Sequence, residues 1–219
     1  MHTQRWFSWA RTALGGVLAL ALAGCSSLPA PPAQVVRYDL GPSPVAAANS
    51  AAGMALALGA MQAPLYADDS TALHYRLAYA DGQVLQAYTQ ARWSVPPAQL
   101  VQQRLREHLS QGGRVVLSAE AGSMPPMVAG RQVPVLHLVL EEFSHWFTSA
   151  QDSVGSVRVR ATLIYPARQG DVLMGQQVLQ AQVPALQPQA AAGVQALAQA
   201  VDAIGQQLQA WLASQALPQ

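Results

Sequence analysis

The sequence predicts an α+β domain, a mixed or antiparallel sheet with two main helices packed on it. Three observations predict it. Short, strand-like apolar segments stand before and between two longer helical patterns, giving the order strands–helix–strands–helix. The second helical pattern repeats Val194, Leu197, Val201, Ile204, Leu208 and Trp211 at steps of three and four, which is one stripe of a helix. Of the 219 residues, 51% are hydrophobic and 11% charged, enough apolar surface for one packed core.

The chain begins with Arg5 and Arg11 and has no acidic residue before Asp39. Ala13–Ala23 then runs for 11 residues without a charge. As a helix this is ~16 Å long, too short for a hydrocarbon core of ~30 Å. A positive start, a short apolar run and small residues at its end mark residues 1–24 as a signal peptide. Its end, Leu22-Ala23-Gly24-Cys25, resembles the lipobox of bacterial lipoproteins, and Cys25 is the only cysteine. That resemblance implies a diacylglyceryl group on the Cys25 sulfur, cleavage after Gly24 and acylation of the new amine. A thiolate suits the acceptor role. Residues 25–34 follow as a lipidated cysteine and a proline-rich tether, whose nine residues after the cysteine reach ~28 Å in polyproline geometry. Ser26 stands where, by resemblance to enterobacterial lipoproteins, an aspartate would retain the protein at the inner membrane. Its identity implies the periplasmic face of the outer membrane.

Residues 35–215 form the body. "QVVRYDL" (34–40) reads as a first strand closed by Gly41-Pro42, and the small, low-complexity stretch 42–53 as a loop. "MALALGAM" (54–61) fits strand or helix by periodicity, and its shortness favours a strand. "ALHYRLAY" (72–79) is a strand, followed by an Asp81-Gly82 hairpin signal. In "VLQAYTQARWSV" (84–95), alternation places Leu85, Ala87, Ala91, Trp93 and Val95 on one face. Pro96-Pro97 opens the first helix, which carries Val101, Leu105, His108 and Leu109 on one stripe and stops at Gly112-Gly113. "RVVLSA" (114–119) is a strand and 121–133 a loop. "PVLHLVLEEFSHWF" (134–147), "SVRVRATLIY" (156–165) and "DVLMGQQVLQAQV" (171–183) are three further strands, with Gly170-Asp171 at the last turn. The final helix carries no Lys or Arg among its alanines and glutamines, which favours packing on the sheet over lying on a membrane.

Candidate chemistry is sparse. On a helix, His137, Glu141 and His145 would share a face at metal-site spacing. The segment is β-branched and follows a proline, so it reads as a strand, on which the two histidines stand ~26 Å apart. Such a separation excludes a shared metal. Ser123 and Ser156 lack the G-x-S-x-G elbow of a nucleophile, and Gly112-Gly113 lacks the spacing of a phosphate loop. Arg158 and Arg160 read as a solvated strand face paired with Glu141 or Glu142. Trp93, Trp146 and Trp211 read as core. "SMPPM", with Met124 and Met127, is an apolar loop open to a partner or to lipid, though a plain solvent loop is the simpler reading. All 12 basic residues are arginine, the net charge is +1, and no basic block of the nucleic-acid-binding kind occurs. The residues argue for no enzyme and no cofactor beyond the covalent lipid on Cys25.

The order of the motifs resembles the ABC-type transport auxiliary lipoproteins, the family of the Pqi-type accessory lipoprotein. The resemblance rests on the lipobox, "VVRYDL", "APLYADD", "HYRLAY", "VLQAYTQARWSVPPAQLVQQRLREHL", "LHLVLEEFSHWF", "SVRVRATLIY" and the closing "GVQALAQAVDAIGQQLQAWL". It covers nearly all of the mature chain. The loops at 42–53 and "SMPPM" match no family feature. The resemblance implies an accessory subunit that docks a lipid-moving system at the outer membrane. Its partners would be an MCE-domain substrate-binding protein and the ABC permease and ATPase of the same system. A homo-oligomer is compatible with that role. The rival classes are an assembly lipoprotein unconnected to a transporter and a membrane-tethered hydrolase that uses His137, Glu141 or His145.

Overall fold

The computed structural model describes residues 34–43, 54–120 and 122–215. The segments expected to be a signal peptide (1–24, with Leu22, Ala23 and Gly24), the lipidated Cys25 and the tether up to residue 33, and most of the 42–53 loop, lie outside them. The body runs β1 (Val36–Tyr38), β2 (Leu56–Gly59), one-turn helix α1 (Leu65–Asp68), β3 (Ala72–Leu77), one-turn helix α2 (Ala78–Asp81) and β4 (Gly82–Trp93). Helix α3 (Pro97–Ser110) follows, then a 3-10 turn (Gln111–Gly113), β5 (Val116–Ala119), β6 (Met127–Val128) and β7 (Arg131–Gln132). Three strands of 13 residues, β8 (Val135–Phe147), β9 (Ser153–Tyr165) and β10 (Val172–Pro184), lead to the 24-residue helix α4 (Ala190–Ala213).

The sheet is mixed and it branches. β8, β9 and β10 form an antiparallel meander. The other edge of β8 is shared by two parallel partners, β2 against Val135–Leu136 and β3 against His145–Phe147. β2 carries β5 in parallel; β3 carries β4 antiparallel, and β4 carries β1 in parallel. A 13-residue strand spans ~43 Å, so it has length for both branches.

The two main helices cover one face of this sheet. Leu136, Leu138, Leu140 and Phe143 of β8 and Val157, Val159, Ala161 and Leu163 of β9 are buried in one core with Val101, Leu105 and Leu109 of α3 and Leu197, Val201, Ile204 and Leu208 of α4. Each buried aliphatic side chain contributes about 1.5–3 kcal/mol. The predicted helical stripes are the buried ones, with Trp211 only partly covered and Leu212 taking the last buried place. Pro97 occupies the first turn of α3, as its missing N–H allows. Helix α4 lies so close to the sheet that a Cβ on Gly155 would collide with the backbone of Ala196 and Leu197, and one on Gly193 with the His145 ring.

Four local expectations change. The β3–β4 hairpin closes through the helical turn α2, with Gly82 at φ −69°, rather than through a tight Asp81-Gly82 turn, which needs positive φ. An irregularity between Ala72 and His74 breaks the alternation of β4, so Tyr88 joins Ala91 and Trp93 at the core while Ala87 is exposed. Residues 121–133 contain a small hairpin, β6–β7, turning at Ala129 (φ 50°) and Gly130 (φ 76°). Trp146 is not core. It lies partly exposed and bonds Ser144 beside the Arg76–Glu142 pair.

Candidate functional site

β8 is a strand throughout, and an irregularity between Leu140 and Glu142 decides what it presents. Leu140 and Phe143 both point into the core, so Glu141 and Glu142 turn together to the open face of the sheet. Two ladders result. Glu141 accepts from Arg158 at 3.0 Å and from Arg160 Nε at 2.7 Å on β9. Glu142 pairs with Arg76 on β3 at 3.3 Å and accepts a 2.7 Å bond from Ser144 Oγ, which itself accepts one from Trp146 Nε1 at 2.7 Å. The expected Arg158 and Arg160 pairing therefore goes to Glu141 alone. The pairs of Glu141 with the half-exposed Arg158 and Arg160 contribute up to about 1 kcal/mol each.

The same irregularity separates the two histidines. His137 is exposed, while His145 is fully buried on the helix side. Nδ1 of His145 lies 2.9 Å from Tyr88 Oη, and its Nε2 has no partner among the described residues. Burial pushes the His145 pKa down to about 4 and raises that of Tyr88, so the pair stays neutral. His74, beside Tyr66, is also held below its ordinary value, by burial first and then by Arg76. Among the described residues, no three His, Cys, Asp or Glu side chains gather at a metal-binding distance. Ser123 Oγ donates to the Glu120 carbonyl, and Ser156 Oγ accepts a 3.4 Å bond from Gln182.

Two surface features remain. Behind a polar groove at Asp39–Gly41, Arg104 of α3 donates to the carbonyls of Leu40 (3.1 Å) and Gly41 (3.2 Å) and to Asp202 of α4 (2.8 Å). His108 Nε2 meets the same carboxylate at 2.7 Å. This cluster ties the segment after β1 to both helices. The second feature is a groove of about 370 Å³ under the Met124–Pro126 loop, reached by His137 and bounded by Glu120 and Asp171. Of the second place the sequence showed only the Met124–Met127 loop; Arg104 and Asp202 are 98 residues apart, and Glu120 and Asp171 come to one groove only through the fold. Among the described residues no helix is long and apolar enough to cross a membrane.

A family model described as "ABC-type transport auxiliary lipoprotein component" matches residues 38–209. Among solved structures, the chain is similar to a Xanthomonas campestris protein of the family DUF330, with 16% identity, a TM-score of 0.66, and coverage of 81% of this chain and 94% of that one. A second crystal structure, of an uncharacterized protein, aligns with 13% identity and a TM-score of 0.56, covering 82% of this chain and 99% of the other. At these identities the likeness is one of fold. A search of curated proteins finds no match.

Proposed function

The chain belongs to the ABC-type transport auxiliary lipoprotein component family, and on that premise we propose that it is the lipid-anchored periplasmic accessory subunit of an ABC/MCE-type transport system. The family is one of auxiliary transport lipoproteins associated with ABC systems, not a family of enzymes. In the proposed role, Cys25 carries the acyl chains that hold the protein at the periplasmic face of the outer membrane, and residues 26–34 supply reach. The body of 35–215 docks the MCE-domain substrate-binding protein, whose permease and ATPase stand in the inner membrane, while lipids or other apolar compounds pass between the two membranes.

The observation that carries this proposal is the family match over 38–209, preceded in the same chain by Leu22-Ala23-Gly24-Cys25. One chemical point supports it. Anchoring needs more than one acyl chain to be durable, and acylation at both the sulfur and the amine of Cys25 would meet that need.

Detergent extraction of the tagged mature protein, followed by identification of co-purifying proteins, tests it. Recovery of an MCE-domain protein with its permease is expected. Recovery of the lipoprotein alone, or with an outer-membrane barrel only, would favour an assembly lipoprotein instead.

A further inference from the structure

We propose that the groove under the Met124–Pro126 loop receives an apolar segment of a periplasmic protein that carries a lysine or arginine. Resting on the transport role above, that protein is the MCE-domain subunit. The loop is built rather than collapsed. Val133 N–H donates to the Pro126 carbonyl at 3.1 Å, β6 and β7 pair behind it, and Ser123 bonds the Glu120 carbonyl through both its N–H and its hydroxyl. Yet the loop holds its apolar groups in water, with Met124 85% and Met127 53% exposed. An exposed methionine beside prolines offers apolar area whose flexible thioether adapts to the partner's shape.

Charge selects the occupant. The groove is walled by Ala60, Met124, Pro125 and Pro126, and Glu120 and Asp171 stand at its rim. Neither carboxylate is paired with a cation among the described residues, and no Lys or Arg lines the groove. Such a rim attracts a cationic side chain and repels phosphate-bearing headgroups. Position agrees with this choice. β1, the strand that follows the tether, reaches β8 only through β4 and β3, at His145–Phe147. His137 beside the groove lies eight residues back along β8, roughly 26 Å away. The apolar tip is thus remote from the point where the anchored segment joins the body.

The test uses the full mature lipoprotein and the purified periplasmic region of the MCE-domain subunit of the proposed system. Met124→Asp is expected to weaken binding at least ~10-fold, with thermal unfolding unchanged, and Met124→Leu to restore it. The double variant Glu120→Gln/Asp171→Asn is expected to weaken binding ~5-fold and to flatten its salt dependence, since only a screened charge pair would be lost. With Cys25 acylated, Met124→Cys supplies a single free thiol for an environment-sensitive dye. In phosphatidylethanolamine/phosphatidylglycerol vesicles its emission should shift on adding the MCE subunit and not before. Binding that survives both Met124→Asp and the double variant overturns the groove while leaving the transport role intact. So does a dye shift in vesicles alone, which would make the loop a lipid contact, or a shift that tracks self-association. If the wild-type protein does not bind the MCE subunit at all, the groove proposal and the transport role fall together.

Discussion

Arg104 on α3 and Asp202 on α4, 98 residues apart in sequence, meet through a 2.8 Å hydrogen bond from Nε to Oδ1. Arg104 is 5% exposed and also holds the carbonyls of Leu40 and Gly41, so one guanidinium joins both helices to the segment after β1. Asp202→Ala should leave a buried cation with only carbonyl partners. The expected cost is about 3 kcal/mol, near the lower end for a broken buried pair because Asp202 keeps some solvent contact. Urea unfolding measures it, and a loss below ~0.5 kcal/mol would show that water replaces the carboxylate.

His145 makes stability depend on pH. Its pKa is about 4 in the folded protein against ~6.5 when unfolded, because burial penalises the charged ring. Between those values the unfolded chain binds more protons than the native one, so stability falls as pH drops from ~6.5 towards ~4. The contribution is up to about 3 kcal/mol, fully present above the window and gone below it. Comparing urea midpoints of wild type and His145→Leu from pH 7 to pH 4.5 isolates it. Equal slopes for the two proteins would remove His145 as the cause.

Gly155 and Gly82 should respond oppositely to alanine. At Gly155 the new methyl meets the backbone of α4 at Ala196 and Leu197, which cannot rotate away, so α4 must shift off β9. A loss of about 3 kcal/mol or more is expected. At Gly82 the nearest atom is Ala78 Cα at 3.5 Å and φ is −69°, so alanine fits and stability changes by less than ~0.5 kcal/mol. Thermal unfolding of the two variants side by side checks the contrast.

Cys25→Ala tests the anchor. The variant should incorporate no labelled palmitate, keep residues 1–24, and migrate as the uncleaved precursor. Labelling at the wild-type level would place the acyl chains elsewhere.

Much of the fold was legible locally. Both main helices were readable from Val101–Leu105–Leu109 and Val194–Leu208, because a buried helix face repeats every 3.6 residues whatever it packs against. The long strands were readable from runs such as Leu136–Leu138–Leu140. The reading faltered where extra residues broke the period of two. At Glu141–Glu142 on β8 and between Ala87 and Arg92 on β4, the irregularity turns neighbours to a face that alternation does not predict. The candidate site was legible in part, since "SMPPM" stood out as an exposed apolar loop, but nothing nearby in sequence pointed to Asp171.

By itself, then, the sequence determined the lipobox expectation, the α+β class and the inward stripe of each main helix, all of which depend on neighbours within a few residues. Only the tertiary structure decided that β8 serves two parallel branches, that Arg104 closes on Asp202, that His145 is buried against Tyr88 while His137 is not, and that Glu120 and Asp171 rim one groove. Those pairings join residues 50 to 100 positions apart, and their partners are chosen by packing geometry and desolvation, which leave no periodic trace along the chain.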